Sequence, residues 1–138
     1  MNGIEIKDLY LGQSASYTKT ITESDVYLFA GITGDVNPAH INETYANNSH
    51  FKGRIAHGML SAGLISAVIG VQLPGPGSIY ASQTLKFLAP VRFNDTITAT
   101  VEITDIIPEK NRVTLKTYCI NQDGIIVTQG EAIVLPPR

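Results

Sequence analysis

Gly58-Met59-Leu60-Ser61-Ala62-Gly63-Leu64-Ile65-Ser66-Ala67-Val68-Ile69-Gly70-Val71 carries no charged side chain, and Met59, Leu60, Leu64, Ile65, Val68 and Ile69 leave it no polar face. A helix that is apolar all round is a buried helix. Ser61, Ser66 and the glycines interrupt the stretch, and it is too short to span a bilayer, so it is expected to be the central element of a soluble fold. Leu73-Pro74-Gly75-Pro76-Gly77 then stops it with rigid turn chemistry.

Beyond that turn the period changes. Ile97, Ala99, Val101 and Ile103 alternate with Thr96, Thr98, Thr100 and Glu102, and Val113, Leu115, Thr117 and Cys119 alternate with Arg112, Thr114, Lys116 and Tyr118. A period of two marks half-buried antiparallel strands. Asn121-Gln122-Asp123-Gly124 predicts a hairpin turn into a third strand from Ile125 to about Val134. Further strands are expected over Ile79 to Phe87 and near Ser14 to Ile21. Upstream, Thr22 precedes Glu23 and Asp25, and Val26, Phe29 and Ala30 recur at helical spacing, which predicts a helix from about Glu23 to Ile32. Helices first and strands after, on short connections, describe an α+β fold with an antiparallel sheet. Residues 1–138 are enough for a single domain with an ordinary hydrophobic core.

Composition excludes several classes of function. Ten Lys and Arg against twelve Asp and Glu give a net charge of -2, which offers no broad basic field for nucleic acid or a membrane surface. Cys119 is the single cysteine, so no intrachain disulfide forms, and the opening Met-Asn-Gly-Ile-Glu lacks the basic and then apolar run of a secretory signal. A cytoplasmic protein is the expectation. His40, His50 and His57 lack metal-ligand spacing, and Gly75-x-Gly77 lacks the strand-turn-helix context of a phosphate loop, so neither a metal nor a nucleotide cofactor is expected.

Ahead of the apolar helix stands Gly34-Asp35-Val36-Asn37-Pro38-Ala39-His40. The residue before a proline avoids helical angles, so Asp35 falls on a loop and His40 on the start of the next element. A turn at Pro38 can fold both side chains toward one point. On the residues alone two readings stand: ordinary turn chemistry, since Asp and Asn form turns and a lone His is commonly structural, or an acid/base pair. Asn37 either orients that pair or only forms the turn.

This heptad, with Ala46 six positions after His40, resembles the (R)-specific enoyl-CoA hydratases of the MaoC-like family. The similarity continues through His57-Gly58-Met59, Leu73-Pro74-Gly75, Gly77-Ser78-Ile79-Tyr80 and Gly130-Glu131-Ala132, covering nearly the whole chain. Ala39 departs from the pattern, which has a larger aliphatic residue there. The resemblance implies a hot-dog fold, an antiparallel sheet wrapped around the apolar helix. It also implies a homodimer or higher homo-oligomer, an acyl-CoA thioester partner and no cofactor.

The implied reaction adds water across the double bond of a trans-2-enoyl-CoA to give the (R)-3-hydroxyacyl-CoA, and runs both ways. It needs a base for the water, an acid for the α carbon and a donor for the thioester oxygen. At pH 7 an ordinary Asp (~3.9) is ionised and an ordinary His (~6.5) mostly neutral, so either Asp35 or His40 can accept the water's proton; Asp35 is favoured as the main base, with His40 its partner in returning the proton. Gly58 is the implied oxyanion donor, since the first N–H groups of a helix lack internal partners and carry partial positive charge. Ser66 is placed near the pocket by resemblance, or bonds back to its own helix; His57 caps or packs at the helix start.

Lys52, Arg54, Lys86, Arg92 and Lys110 are candidate contacts for CoA phosphates. Phe87-Leu88-Ala89-Pro90-Val91 is implied at the dimer and substrate tunnel, and Ile65 and Ile69 are expected to gauge acyl length. The rival functions are an acyl-CoA thioesterase on the same fold and a non-catalytic acyl-CoA-binding module. A carrier-protein dehydratase of fatty-acid synthesis is a further relative, but its usual His-Phe-Pro-Gly motif is absent.

Overall fold

The computed structural model describes residues 2–138. Strand β1 (Ser14–Thr20), helix α1 (Glu23–Thr33), the short helices α2 (Pro38–Ile41) and α3 (Glu43–Asn47) and the long helix α4 (Gly58–Val71) precede the other strands. These are β2 (Ile79–Gln83), β3 (Lys86–Phe87), β4 (Thr96–Ile107), β5 (Arg112–Ile120) and β6 (Ile126–Leu135). All pair antiparallel in the order β1-β4-β5-β6-β2, with β3 also on β6.

The alternation read from the sequence decides which sheet face is inside. Ile97, Ala99, Val101 and Ile103 of β4 and Val113, Leu115, Thr117 and Cys119 of β5 are all buried. They meet Leu64, Ile65, Val68 and Ile69 of α4 in one apolar cluster, so the sheet curls around the helix. Burying each such side chain contributes about 1.5–3 kcal/mol. The Asn121 turn closes the β5–β6 hairpin, its N–H donating to the Ile125 carbonyl.

Two expectations need correction. The strand anticipated over Ile79 to Phe87 is broken into β2 and β3 around Thr84, whose N–H still donates to the Glu131 carbonyl at 2.9 Å but whose own carbonyl crosses over Gly130, where a Cβ would stand 1.7 Å from the oxygen. The Thr84 hydroxyl also accepts from the Glu131 N–H at 3.0 Å. And α4 is not buried all round: its sheet-facing side is closed, but Met59 is 54% and Val71 71% exposed, and Gly63, Ser66 and Gly70 are exposed between them. One sheet has covered one side of an apolar helix, and the far side is left open in the single chain.

Upstream of α4 the chain is held by caps. Thr22 and Asp25 form a reciprocal box at the start of α1, each side chain accepting the other's backbone N–H. Asn37 and Asn42 cap α2 and α3, accepting from the Ala39 and Tyr45 N–H groups at 3.0 Å each. These two short helices, the second of them unanticipated, carry the chain from Asp35 to the segment that leads into α4.

Candidate active site

His40 lies in the single turn of α2 that Pro38 starts and Asn37 caps, and it is 9% exposed. Its Nδ1 lies 2.7 Å from the Ile55 carbonyl oxygen. A carbonyl only accepts, so Nδ1 carries the proton and Nε2 is the bare, basic nitrogen. Burial, with His57 alongside, holds His40 below the ordinary imidazole value, against the raising influence of the Ile55 carbonyl and the Asp35 charge. The ring is therefore neutral at pH 7 and ready to accept a proton.

Asp35 follows the end of α1 and is exposed. Its N–H donates to the Thr33 hydroxyl at 3.1 Å, and one carboxylate oxygen accepts from the Asn37 N–H at 3.3 Å, an Asx turn that fixes the side chain. Asn37 is thus tied twice, through its N–H to Asp35 and through its side-chain oxygen to Ala39. Its place is in shaping the turn on which the carboxylate sits.

His57 meets this pair from the other side. It is 2% exposed, its Nε2–H donates to the Asp35 carbonyl at 2.9 Å, and its ring stacks on His40 with centroids 3.8 Å apart and planes 30° apart. Phe29 of α1 packs against the same ring at 4.7 Å. One carboxylate oxygen of Asp35 and one nitrogen from each of His40 and His57 lie within 4.8 Å of one another. Three such groups could hold a metal ion, though each ring already spends one nitrogen on a backbone carbonyl, His40 on Ile55 and His57 on Asp35.

His57 is also the residue before α4, and its side chain does not cap the helix. Among the described residues no acceptor pairs with the Gly58 N–H, which stays available at the positive end of the helix. A Cβ at Gly58 would meet the Phe87 ring at 2.7 Å, so only glycine allows this close approach. An open groove of about 410 Å³ runs from Gly58 past Phe51, Ser61 and Thr128, and Phe87 to Val91 form one wall.

The structure thus gathers Asp35, Asn37 and His40 into one cluster, with Gly58 joined to it through His57. Ser66 lies eight residues along α4 from Gly58, about 12 Å of helix rise. It lines a second groove of about 480 Å³ with Phe29, Met59, Tyr80 and Gln83; Phe29 packs on His57, and Met59 also lines the groove at Gly58. Ile65 and Ile69 face the sheet as core and line neither groove, so they are not placed to gauge an acyl chain. Arg54 is engaged as well, paired with Glu23 and Glu43 at 2.9 Å each and lying over the Phe93 ring. His57 is the contact that sequence reading missed, for its bond to Asp35 spans 22 positions.

Fold and site define a class: proteins that place a carboxylate and an imidazole beside the N-terminus of an apolar helix inside a hot-dog sheet. The chain belongs to the MaoC-like dehydratase family, whose MaoC like domain it matches over residues 11–123. It is 60% identical over 131 residues to an (R)-specific enoyl-CoA hydratase of Rhodospirillum rubrum, covering 95% of this chain and 90% of that protein. It is 48% identical to a 3-hydroxybutyryl-CoA dehydratase of Methylorubrum extorquens, covering 96% and 83%. Among solved structures, the unliganded R-hydratase PhaJ1 of Pseudomonas aeruginosa superposes with a TM-score of 0.94 at 47% identity, covering 99% of this chain and 88% of that one. The (R)-hydratase of A. caviae involved in PHA biosynthesis gives 0.92 at 40% identity, covering 95% and 99%.

Proposed function

We propose that this protein is an (R)-specific enoyl-CoA hydratase, a hydro-lyase that interconverts trans-2-enoyl-CoA and (R)-3-hydroxyacyl-CoA. The observation that carries the reading is the pairing of a bare, neutral His40 Nε2 with the Asp35 carboxylate beside an unpaired helix N-terminal N–H. In the forward direction the water held between Asp35 and His40 loses a proton to Asp35 as its oxygen bonds to the β carbon. The electron pair of the double bond moves onto the thioester, whose oxygen gains charge opposite the Gly58 N–H. The α carbon then takes a proton returned through His40, and the thioester carbonyl re-forms. Asn37 keeps the carboxylate turn in shape.

Residues 1–138 act as one domain, and the groove beside Gly58 takes the acyl thioester. Lys52, Lys86 and Arg92, sequence neighbours of the lining residues Phe51, Phe87 and Val91, are the cations offered to the CoA phosphates. The enzyme works as a homodimer, in which a second copy covers the exposed edge strand β2 and the open side of α4.

The test is to mix the protein with crotonyl-CoA, follow absorbance at the enoyl-thioester band and assay free thiol in parallel. Loss of absorbance without thiol, giving the (R) alcohol, is expected. Thiol release would identify a thioesterase, and tight binding without turnover a binding module.

A further inference from the structure

We infer that His57 is a positioning residue for the hydration, holding the Asp35 turn and the His40 ring in register with the Gly58 N–H; this rests on the hydratase reading above. Three contacts carry it. Its Nε2–H donates to the Asp35 carbonyl at 2.9 Å, its ring stacks on His40 at 3.8 Å, and the peptide joining it to Gly58 supplies the N–H at the helix start. One side chain therefore touches the main chain of the carboxylate and the face of the imidazole, while its own peptide supplies the oxyanion donor. A shift of the ring would move all three relative to one another, and misplacement by about 1 Å is enough to slow a reaction by roughly two orders of magnitude.

A second observation separates this role from packing. With Nε2 protonated, Nδ1 is a bare acceptor, and it is buried with no partner. Buried polar atoms are nearly always paired, because leaving one unpaired weighs against folding. A phenyl ring would fill the same stack between Phe29 and His40 without that burden. The polar edge of His57 thus weakens the packing and makes one bond, to Asp35, so the bond to the carboxylate turn is what the histidine supplies.

Two variants of the full chain test the assignment. His57→Phe keeps the stacked ring and loses the donor; the expected result is a melting temperature no lower than wild type, kcat for crotonyl-CoA hydration down roughly 10- to 100-fold, and KM within about threefold. His57→Gln restores an N–H near the place of Nε2 and should recover part of that kcat. Backbone amide exchange gives a readout independent of turnover: residues 34–37 should exchange faster in His57→Phe while α4 does not. A His57→Phe protein with wild-type kcat and unchanged exchange at residues 34–37 overturns the assignment. If His57→Phe does not fold, a folded His57→Gln decides it: wild-type kcat overturns it, and a several-fold lower kcat at constant KM supports it. Wild-type protein that fails to hydrate crotonyl-CoA overturns the hydratase reading instead, and the exchange comparison still tests whether His57 holds the turn.

Discussion

At the scale of single residues, the choice of basic nitrogen on His40 is made by a carbonyl fifteen positions further along the chain. That bond, the Asx turn at Asp35 and the neighbouring His57 ring fix a carboxylate and a bare imidazole nitrogen in one cluster. Asp35→Asn and His40→Gln should each lower kcat by roughly two to four orders of magnitude. The double variant should fall far short of the product of the two losses, since both groups serve the same water; steady-state hydration of crotonyl-CoA reads all three. Burial keeps His40 below the ordinary imidazole value, so activity should hold as pH falls to ~6.5 and decline only below it. The sign for stability follows. The folded chain binds this proton less readily than the unfolded one, so the contribution is complete above ~6.5 and is lost as pH drops through the depressed value, a trend that His40→Gln should flatten in urea titrations. At Gly58 the added methyl of Gly58→Ala meets Phe87 and crowds the thioester's approach, and kcat should fall by roughly 10- to 1000-fold with little change in melting temperature.

Among the elements, the segment before α4 depends on Arg54. Its side chain is 13% exposed and reaches Glu23 of α1 and Glu43 of α3, while the next residue, Ile55, gives its carbonyl to His40. Arg54→Met keeps the stem over Phe93 but unties both helices. Because both glutamates are about half exposed, the expected loss is modest, seen as a slightly lower urea midpoint at unchanged slope. What was legible in the sequence divides along the same line. The strands β4, β5 and β6 and the capped start of α1 are written in local alternation and in residues three apart, and the heptad's proline turn brings Asp35 and His40 together. The break between β2 and β3 depends on Thr84 meeting Gly130 and Glu131, up to 47 positions away, and the stack of His57 on His40 depends on where two helices start. No local period encodes such meetings. The same limit explains α4, whose composition says that it is to be covered but not by what.

For the molecule as a whole, the uncovered side of α4 and the exposed edge strand β2 lie on the groove that holds Ser66, Met59 and Tyr80. Sedimentation velocity should give a species of twice the 14.9 kDa chain mass. Hydratase relatives covering nearly all of this chain make the fold secure, and the pairing of two copies is what this measurement adds. Gly63 and Gly70 offer a finer gauge. Within the single chain a methyl at either position meets nothing within 4 Å, so alanine there should raise helix stability by about 1 kcal/mol. A partner helix seated against that side would turn the gain into a collision. The direction in which the melting temperature of Gly63→Ala moves is therefore a one-tube detector of a neighbour: a rise marks a helix side facing water, and a fall marks the two glycines as spacers whose worth is set by a surface that belongs to another molecule.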